Sequence, residues 1–297
     1  MGKPTTEMLH DSAAGLDLRP PAEVATILAE AQAAAARAAL PVVDALADGA
    51  RAMAASLRGD GRLFYVGAGS SGLMAAADAN ELGGTFGVPR SRVRILMAGG
   101  MPTAASMPGD TEDAAEGLTN ALSDLSPQDT MIAVSASGTT RYTLEAVRLA
   151  RAHGATVIGL ANNPGSALLK AADIAIPLET PPEVISGSTR LGAGTAQKIA
   201  LNCMSTLMGM ALGHIHDGMM VNVVADNAKL RARAAGMVAR IAGVDASRAD
   251  DALTAAEGAV KPAVLLAAGA ASLEAAHTQL EDNDDHLRGA LAALRGT

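Results

Sequence analysis

Five short apolar runs, each separated from the next by a stretch with helical spacing, constrain this chain more than any other feature. They are Arg62–Val66, Val93–Met97, Thr130–Val134, Ala155–Leu160 and Asp173–Leu178. Runs of this length bounded by glycine and polar residues read as buried strands. Strand and helix alternating five times predicts an α/β fold, a three-layer αβα sandwich on a parallel five-stranded sheet. Upstream, Ala22–Leu57 is rich in Ala and Leu at helical spacing and reads as two helices broken near Pro41. Downstream, Gly194–Leu212 and Val221–Ala242 read as long helices, and the chain from Val244 onward is helical and Ala-rich. The expected organisation is a lead-in with helices over 1–60, a sheet domain over 61–243 and a small helical domain over 244–297.

Composition removes several function classes. A chain of 297 residues, 49% of them hydrophobic, has enough apolar material for a full α/β core. With two Tyr, two Phe and no Trp, core volume must come from aliphatic residues and the 14 Met. The same scarcity leaves few platforms for stacking bases. Net charge is −8, and no block of Lys or Arg is present to track a phosphate backbone, so no nucleic-acid partner is expected. The single cysteine, Cys203, excludes an intrachain disulfide and fits a reducing compartment. It lies in an apolar helical run and reads as packing rather than as a nucleophile. The N-terminal segment lacks the apolar core of a signal peptide. No apolar run reaches the roughly 18 to 20 residues that a membrane span requires. A cytoplasmic protein without a membrane partner is the expectation. His214 and His216, read as i and i+2 on a helix, would not share a face, and Asp282, Asp284 and Asp285 read as a solvated helix end or turn. Neither group suggests a metal site, and no cofactor is expected.

Two glycine loops carry the functional signal. Gly67-Ala68-Gly69-Ser70-Ser71-Gly72 follows the first run and opens a helix, formally the G-x-G-x-x-G of dinucleotide sites. That fingerprint needs a carboxylate about 20 residues on, at the end of the second strand, to hold the ribose. Here the strand ends Leu96-Met97-Ala98-Gly99-Gly100, with no acid. The third run ends Ser135-Ala136-Ser137-Gly138-Thr139-Thr140 before the next helix. Hydroxyls and free N–H groups at a helix start suit an anion, although the same residues also make an ordinary N-cap. If the strand order is 2-1-3-4-5, both loops fall at the topological switch point, where open α/β sheets bind ligands. A small molecule bearing a phosphate is the predicted partner.

A Ser-Ser glycine loop after the first strand, with S-x-S-G-x-T after the third, resembles the SIS (sugar isomerase) domain. The resemblance implies a sugar-phosphate ligand held by Ser135, Ser137, Gly138, Thr139 and Thr140, with Ser70 and Ser71 assisting. A longer likeness lies in the seventeen residues from Pro182 to Lys198, PEVISGSTRLGAGTAQK. They are similar to the P-E-V-I-x-G-S-T-R-L-K-A-G-T-A-Q-K of the N-acetylmuramic acid 6-phosphate etherases. Asp78-Ala79-Asn80-Glu81 with Thr85-Phe86-Gly87, then Asn202, Ser205-Thr206, Met220-Val221, Asn227 and Lys229-Leu230, continue it. Leu82-Gly83-Gly84 stands where the family has C-P-P, Gly192 replaces a lysine, and Thr140-Arg141 departs from the usual Arg and Pro. Thr6-Glu7 matches the family's T-E, without the R-N that follows.

That resemblance implies a C–O lyase that cleaves the D-lactyl ether of N-acetylmuramic acid 6-phosphate, giving N-acetylglucosamine 6-phosphate and D-lactate without a metal. Glu81 and Glu112 are implied as the acid–base pair, Glu183, Ser188 and Thr189 as further substrate contacts, and a homodimer as the assembly. A non-catalytic phosphosugar regulator and an aldose–ketose isomerase with Glu183 as base are the alternatives. Glu81 is expected late in a helix, before Gly83-Gly84, facing the negative end of the dipole. Glu112 is expected in the first turn of the next helix, where an acid is favourable for structural reasons alone. A dipole effect of about 0.3–1 kcal/mol would favour protonated Glu81 and ionised Glu112, matching acid and base respectively.

Overall fold

The computed structural model describes residues 4–103, 111, 113–223 and 228–296. Two short 3₁₀ turns, Thr5–Glu7 and Leu16–Leu18, lead into helix α1 (Pro21–Ala36). Proline suits the first helical position because that N–H would have no partner anyway. Pro41 sits inside a 3₁₀ stretch, Arg37–Val42, and α2 (Val43–Arg58) follows. The missing donor and bulky ring of proline account for this break between helices.

Strands β1 (Leu63–Gly67), β2 (Val93–Met97), β3 (Thr130–Ser135), β4 (Thr156–Ala161) and β5 (Ile174–Pro177) form one parallel sheet in the order β2-β1-β3-β4-β5. Helices α3 (Gly69–Phe86), α4 (Leu118–Ala121), α5 (Arg141–Ala152), α6 (Ala167–Ala171) and α7 (Gly192–Ala211) are its connections and continuation. Every residue of β1 and β3 is buried, as a sheet covered on both faces requires. Register aligns Phe64, Met131 and Val157 in one row, and these pack with Ala146, Val147 and Leu168 of α5 and α6. The adjacent row of Tyr65, Ile132 and Ile158 points to the opposite face. There Gly49 of α2 lies so close that a Cβ would meet Met204 Sδ of α7 at 2.6 Å and Ile158 Cδ1 at 3.5 Å.

The chain divides into two compact units, Met1–Ala79 with Ser91–Ser205, and Asn80–Arg90 with Thr206–Thr297. The second contains the hairpin β6 (Ile215–His216) and β7 (Met219–Met220), then α8 (Ala228–Ala242), α9 (Ala246–Ala255), α10 (Val260–Ala268), α11 (Leu273–Glu281) and α12 (Leu287–Arg295). Ala234, Val238, Val264, Leu265, Ala276 and Ala290 form its core. The Lys261 ammonium is 2% exposed and donates to Asp285 Oδ2 at 2.5 Å and to its carbonyl at 3.0 Å.

Several expectations need correcting. Residues 221–223 are not helical, and α8 is described only from Ala228. His214 follows the end of α7 and His216 lies in β6, so the pair is not on a helix. Asp285 is more than a solvated turn residue, since it compensates a buried lysine. Cys203 is exposed on α7, so it does not pack in the core.

Candidate functional site

The first loop is shaped by a close approach of strand and helix. A Cβ on Gly67 would lie 2.9 Å from Gly72 Cα, and one on Gly72 would lie 3.1 Å from the Gly67 carbonyl oxygen. Only glycines allow α3 to start so tightly against β1. This puts Ser70 and Ser71 in the first turn of α3. Ser71 is buried, and its Oγ accepts the Ala136 N–H at 3.2 Å, which ties the first loop to the second.

In the second loop the hydroxyls bind one another. Ser135 Oγ accepts the Gly138 N–H at 3.0 Å and lies 2.9 Å from Thr140 Oγ1 and 3.4 Å from Ser137 Oγ. Ser137 Oγ in turn accepts from the Thr139 N–H at 3.2 Å and the Thr139 hydroxyl at 3.1 Å. Gly138 makes the turn possible: its φ is +68°, and a Cβ there would fall 2.2 Å from Ser166 Oγ. Thr140 is the N-cap residue of α5 but makes no side-chain cap bond. Its hydroxyl faces Ser135 instead, so the ordinary N-cap reading does not describe it. Hydroxyls of Ser71, Ser135, Ser137, Thr139 and Thr140 thus gather at the carboxyl ends of β1 and β3, beside a helix start without a side-chain cap. Hydroxyls can rotate to donate, and the opening N–H groups of α5 carry partial positive charge, so the arrangement suits an anion.

Glu183, Ser188 and Thr189 stand before α7. Glu183 is 4% exposed, and its two oxygens accept the N–H groups of Gly192 at 2.8 Å and Ala193 at 2.9 Å. A carboxylate at a helix N-terminus is stabilised by the dipole, and here it is held as a cap. That engagement leaves little for the isomerase alternative, which requires Glu183 as a base. A Cβ at Gly192 would meet Glu183 Oε2 at 3.1 Å and Ala35 Cβ at 3.2 Å, so this departure from the lysine sits in a tight place. Ser188 and Thr189 are half-buried, with backbone bonds inside the turn that precedes α7.

Of the two glutamates, Glu81 alone lies among the described residues, and Glu112 lies outside them. Glu81 is exposed on α3, which continues through Gly83-Gly84 to Phe86 because Leu82 and Phe86 are anchored, 1% and 5% exposed. Glu81 therefore precedes the last helical turn, where the dipole effect is concentrated. Residues 113–117 are not helical, and the helix expected after Glu112 is reduced to α4. The dipole argument for dividing acid and base roles loses its structural basis at Glu81, and no helix begins within residues 113–117. Among the described residues no group of three or more His, Cys, Asp or Glu is placed to hold a metal ion.

Comparison with known proteins adds the identity. The SIS domain family matches residues 27–162. An N-acetylmuramic acid 6-phosphate etherase of Deinococcus radiodurans is 45% identical over 287 residues, 95% of this chain and 93% of its own. The etherases of Streptomyces avermitilis and Serratia proteamaculans are 41% and 36% identical, each over at least 97% of this chain and 94% of their own. This chain belongs to the N-acetylmuramic acid 6-phosphate etherase family. Among solved structures, an inferred phosphosugar isomerase of Bacteroides fragilis, involved in capsule formation, aligns with TM-score 0.50 and 23% identity. It covers 64% of this chain and 91% of its own, and bears on the fold alone.

Two polar groups in this etherase-family chain take roles that a reading of motifs does not assign. Asp78, 4% exposed, accepts from Tyr65 Oη at 2.9 Å, Asn202 Nδ2 at 2.8 Å and Ser205 Oγ at 2.8 Å. Burial first, then the Asp78 charge, pushes the Tyr65 phenol well above its ordinary value. The network joins β1, α3 and α7. Asn162 and Asn163, just after β4, reach the loop of residues 135–140, and Asn163 also reaches Thr6 of the N-terminal segment. Their position before Pro164 reads only as a turn signal.

Proposed function

We propose that this protein cleaves the lactyl ether of N-acetylmuramic acid 6-phosphate by elimination followed by hydration. The observation that supports this most is the hydroxyl cluster at the switch point of an etherase-family chain, a site suited to the 6-phosphate. With the phosphate held there and the sugar ring open, the aldehyde acidifies the proton on C2. A carboxylate takes that proton, the C3–O bond breaks, and a carboxylic acid gives its proton to the departing lactate oxygen. Water then adds across C2=C3, with its hydroxyl on C3 and a proton on C2. Atoms balance as one water consumed per D-lactate released, and the residues needed are one base and one acid.

Glu112 is the proposed base and Glu81 the proposed acid, on their match to the family's two glutamates. Ser70, Ser71, Ser135, Ser137, Gly138, Thr139 and Thr140 are the proposed phosphate contacts, with Ser188 and Thr189 as sugar contacts. We assign the substrate domain to 61–243, between a lead-in over 1–60 and a helical part over 244–297. A homodimer is proposed because the largely apolar α7 leaves Leu207 and Met210 exposed. Light scattering at micromolar concentration would show it, and a stable monomer would refute it. No helix among the described residues is long and apolar enough to cross a membrane, and a cytoplasmic site of action is proposed on the etherase-family membership.

Separating the two glutamates tests the mechanism. In deuterated water Glu81→Gln should still exchange the C2 proton yet release almost no lactate, whereas Glu112→Gln should lose both. Removing a general acid or base costs about 10²–10⁴ in rate, well above assay noise. Wild-type lactate release from both variants would remove the two glutamates from the chemistry.

A further inference from the structure

We propose that Asn163, clamped by Thr6, is a positioning residue that holds the phosphate loop in its anion-binding conformation. This rests on the phosphate-site reading above. The Asn163 amide is 8% exposed, and its Nδ2 donates to the Ser137 carbonyl at 3.3 Å and to Thr6 Oγ1 at 3.0 Å. Its Oδ1 accepts the Thr6 N–H at 3.4 Å. Thr6 is 5% exposed and belongs to the N-terminal 3₁₀ turn, 157 residues away in the chain. Its backbone and hydroxyl together fix which way the Asn163 amide faces. The N–H side is left directed at the loop.

The neighbouring residue works on the same loop. Asn162 N–H donates to the Ala136 carbonyl at 3.0 Å. Its own side chain is fixed by Gln197 Nε2 on Oδ1 at 2.9 Å and by donation to the Leu178 carbonyl at 3.1 Å. Two successive loop carbonyls, Ala136 and Ser137, are therefore held by the end of β4. The Ser137–Gly138 peptide is fixed at both ends, since its N–H meets Ser135 Oγ at 3.0 Å. A phosphate repels carbonyl oxygens and attracts N–H and O–H groups. Fixing the two carbonyls on the asparagines keeps acceptors out of the site and leaves hydroxyls to line it. Preorganisation of this kind raises affinity by removing the cost of ordering the loop.

A residue acting this way couples the N-terminal turn to ligand binding, and coupling between two sites is reciprocal. Full-length variants should be titrated calorimetrically with N-acetylglucosamine 6-phosphate and assayed for D-lactate release, after thermal melting confirms that they fold. Asn163→Ala should weaken the phosphosugar and raise KM by about tenfold, the scale of one lost hydrogen bond near a charged group, with kcat within about twofold. Thr6→Val should move both in the same direction by a smaller factor, and Thr6→Ser should restore them. Exchange of the Thr6 amide should slow when N-acetylglucosamine 6-phosphate binds the wild type, and stay unchanged in Asn163→Ala.

Unaltered KM in folded Asn163→Ala, or a fall in kcat alone, overturns the proposal. If Asn163→Ala does not fold, Thr6→Val and deletion of residues 1–8 carry the same prediction, and unaltered affinity in both overturns it. Ser137→Ala run in parallel separates the two levels. Lost affinity there with none lost at Asn163 removes only the positioning role, while no loss at Ser137 removes the phosphate site beneath it.

Discussion

Replacing Asp78 with alanine removes the acceptor on α3 shared by three donors, one from β1 and two from α7. The Tyr65 hydroxyl is fully buried and has Asp78 as its acceptor, so it is left without a partner. Such an orphan costs about 1–3 kcal/mol. Ser205 Oγ keeps its second bond, to the Asn202 carbonyl at 3.3 Å, and half-buried Asn202 can reach water. Those two losses add roughly 1 kcal/mol each, and relief from carboxylate burial offsets part of the total. A net loss of about 3 kcal/mol is expected, or roughly 6–12 °C in Tm at about 2–4 °C per kcal/mol. Tyr65→Phe should cost less, about 1–2 kcal/mol, because Asp78 keeps two donors.

The diagnostic quantity is the coupling between these changes. In Tyr65→Phe/Asp78→Ala no phenol is left to be orphaned, so the double variant should be more stable than the sum of the singles by about 1–2 kcal/mol. Urea unfolding of the four proteins measures it. An additive cycle, or Asp78→Ala within about 0.5 kcal/mol of wild type, would refute the account of this network.

Ser137→Ala with Thr140→Ala should lower affinity for a 6-phosphosugar at least tenfold, since each hydrogen bond to a charged group is worth about 1.5–3 kcal/mol. Calorimetry should find the unphosphorylated sugar unaffected, and equal losses would mark the loop as purely structural. Burial, then the Lys261 charge, lowers the His214 pKa to about 4, with Asp285 opposing. The folded state thus takes up its proton later than an unfolded histidine near pH ~6.5. The stability this confers is whole above that pH and is lost as pH falls from there through about 4. Urea midpoints should decline over that window in wild type and less in His214→Gln.

The sheet is legible in the sequence for a specific reason. β1 and β3 are dry on both faces and β4 nearly so. The edge strands β2 and β5 are part-exposed and read as strands by their β-branched and aliphatic residues, despite Arg94. Glycines that must fit between β1 and α3 mark where the first run ends. The two loops are legible because Gly67, Gly72 and Gly138 answer steric demands found in the structure. Helix ends on α3 and near α4 are not, because Leu82 and Phe86 carry α3 through two glycines by burial. Thr6 is legible only as part of a family likeness, and its pairing with Asn163 is not legible at all, since it exists only once residues 157 positions apart are in contact. Glu183 is legible as an acid in a specific motif, yet its use as the cap of α7 depends on where Gly192 and Ala193 point.

The central claim is elimination and hydration at C3, and isotope placement tests it most directly. Wild-type protein should be incubated with N-acetylmuramic acid 6-phosphate in ¹⁸O-labelled water, and both products analysed by mass spectrometry. Because the C3–O bond breaks and water supplies the new hydroxyl, label should enter C3 of N-acetylglucosamine 6-phosphate while D-lactate keeps its original oxygen. Label in the lactate with an unlabelled sugar, or no lactate at all, would contradict the account.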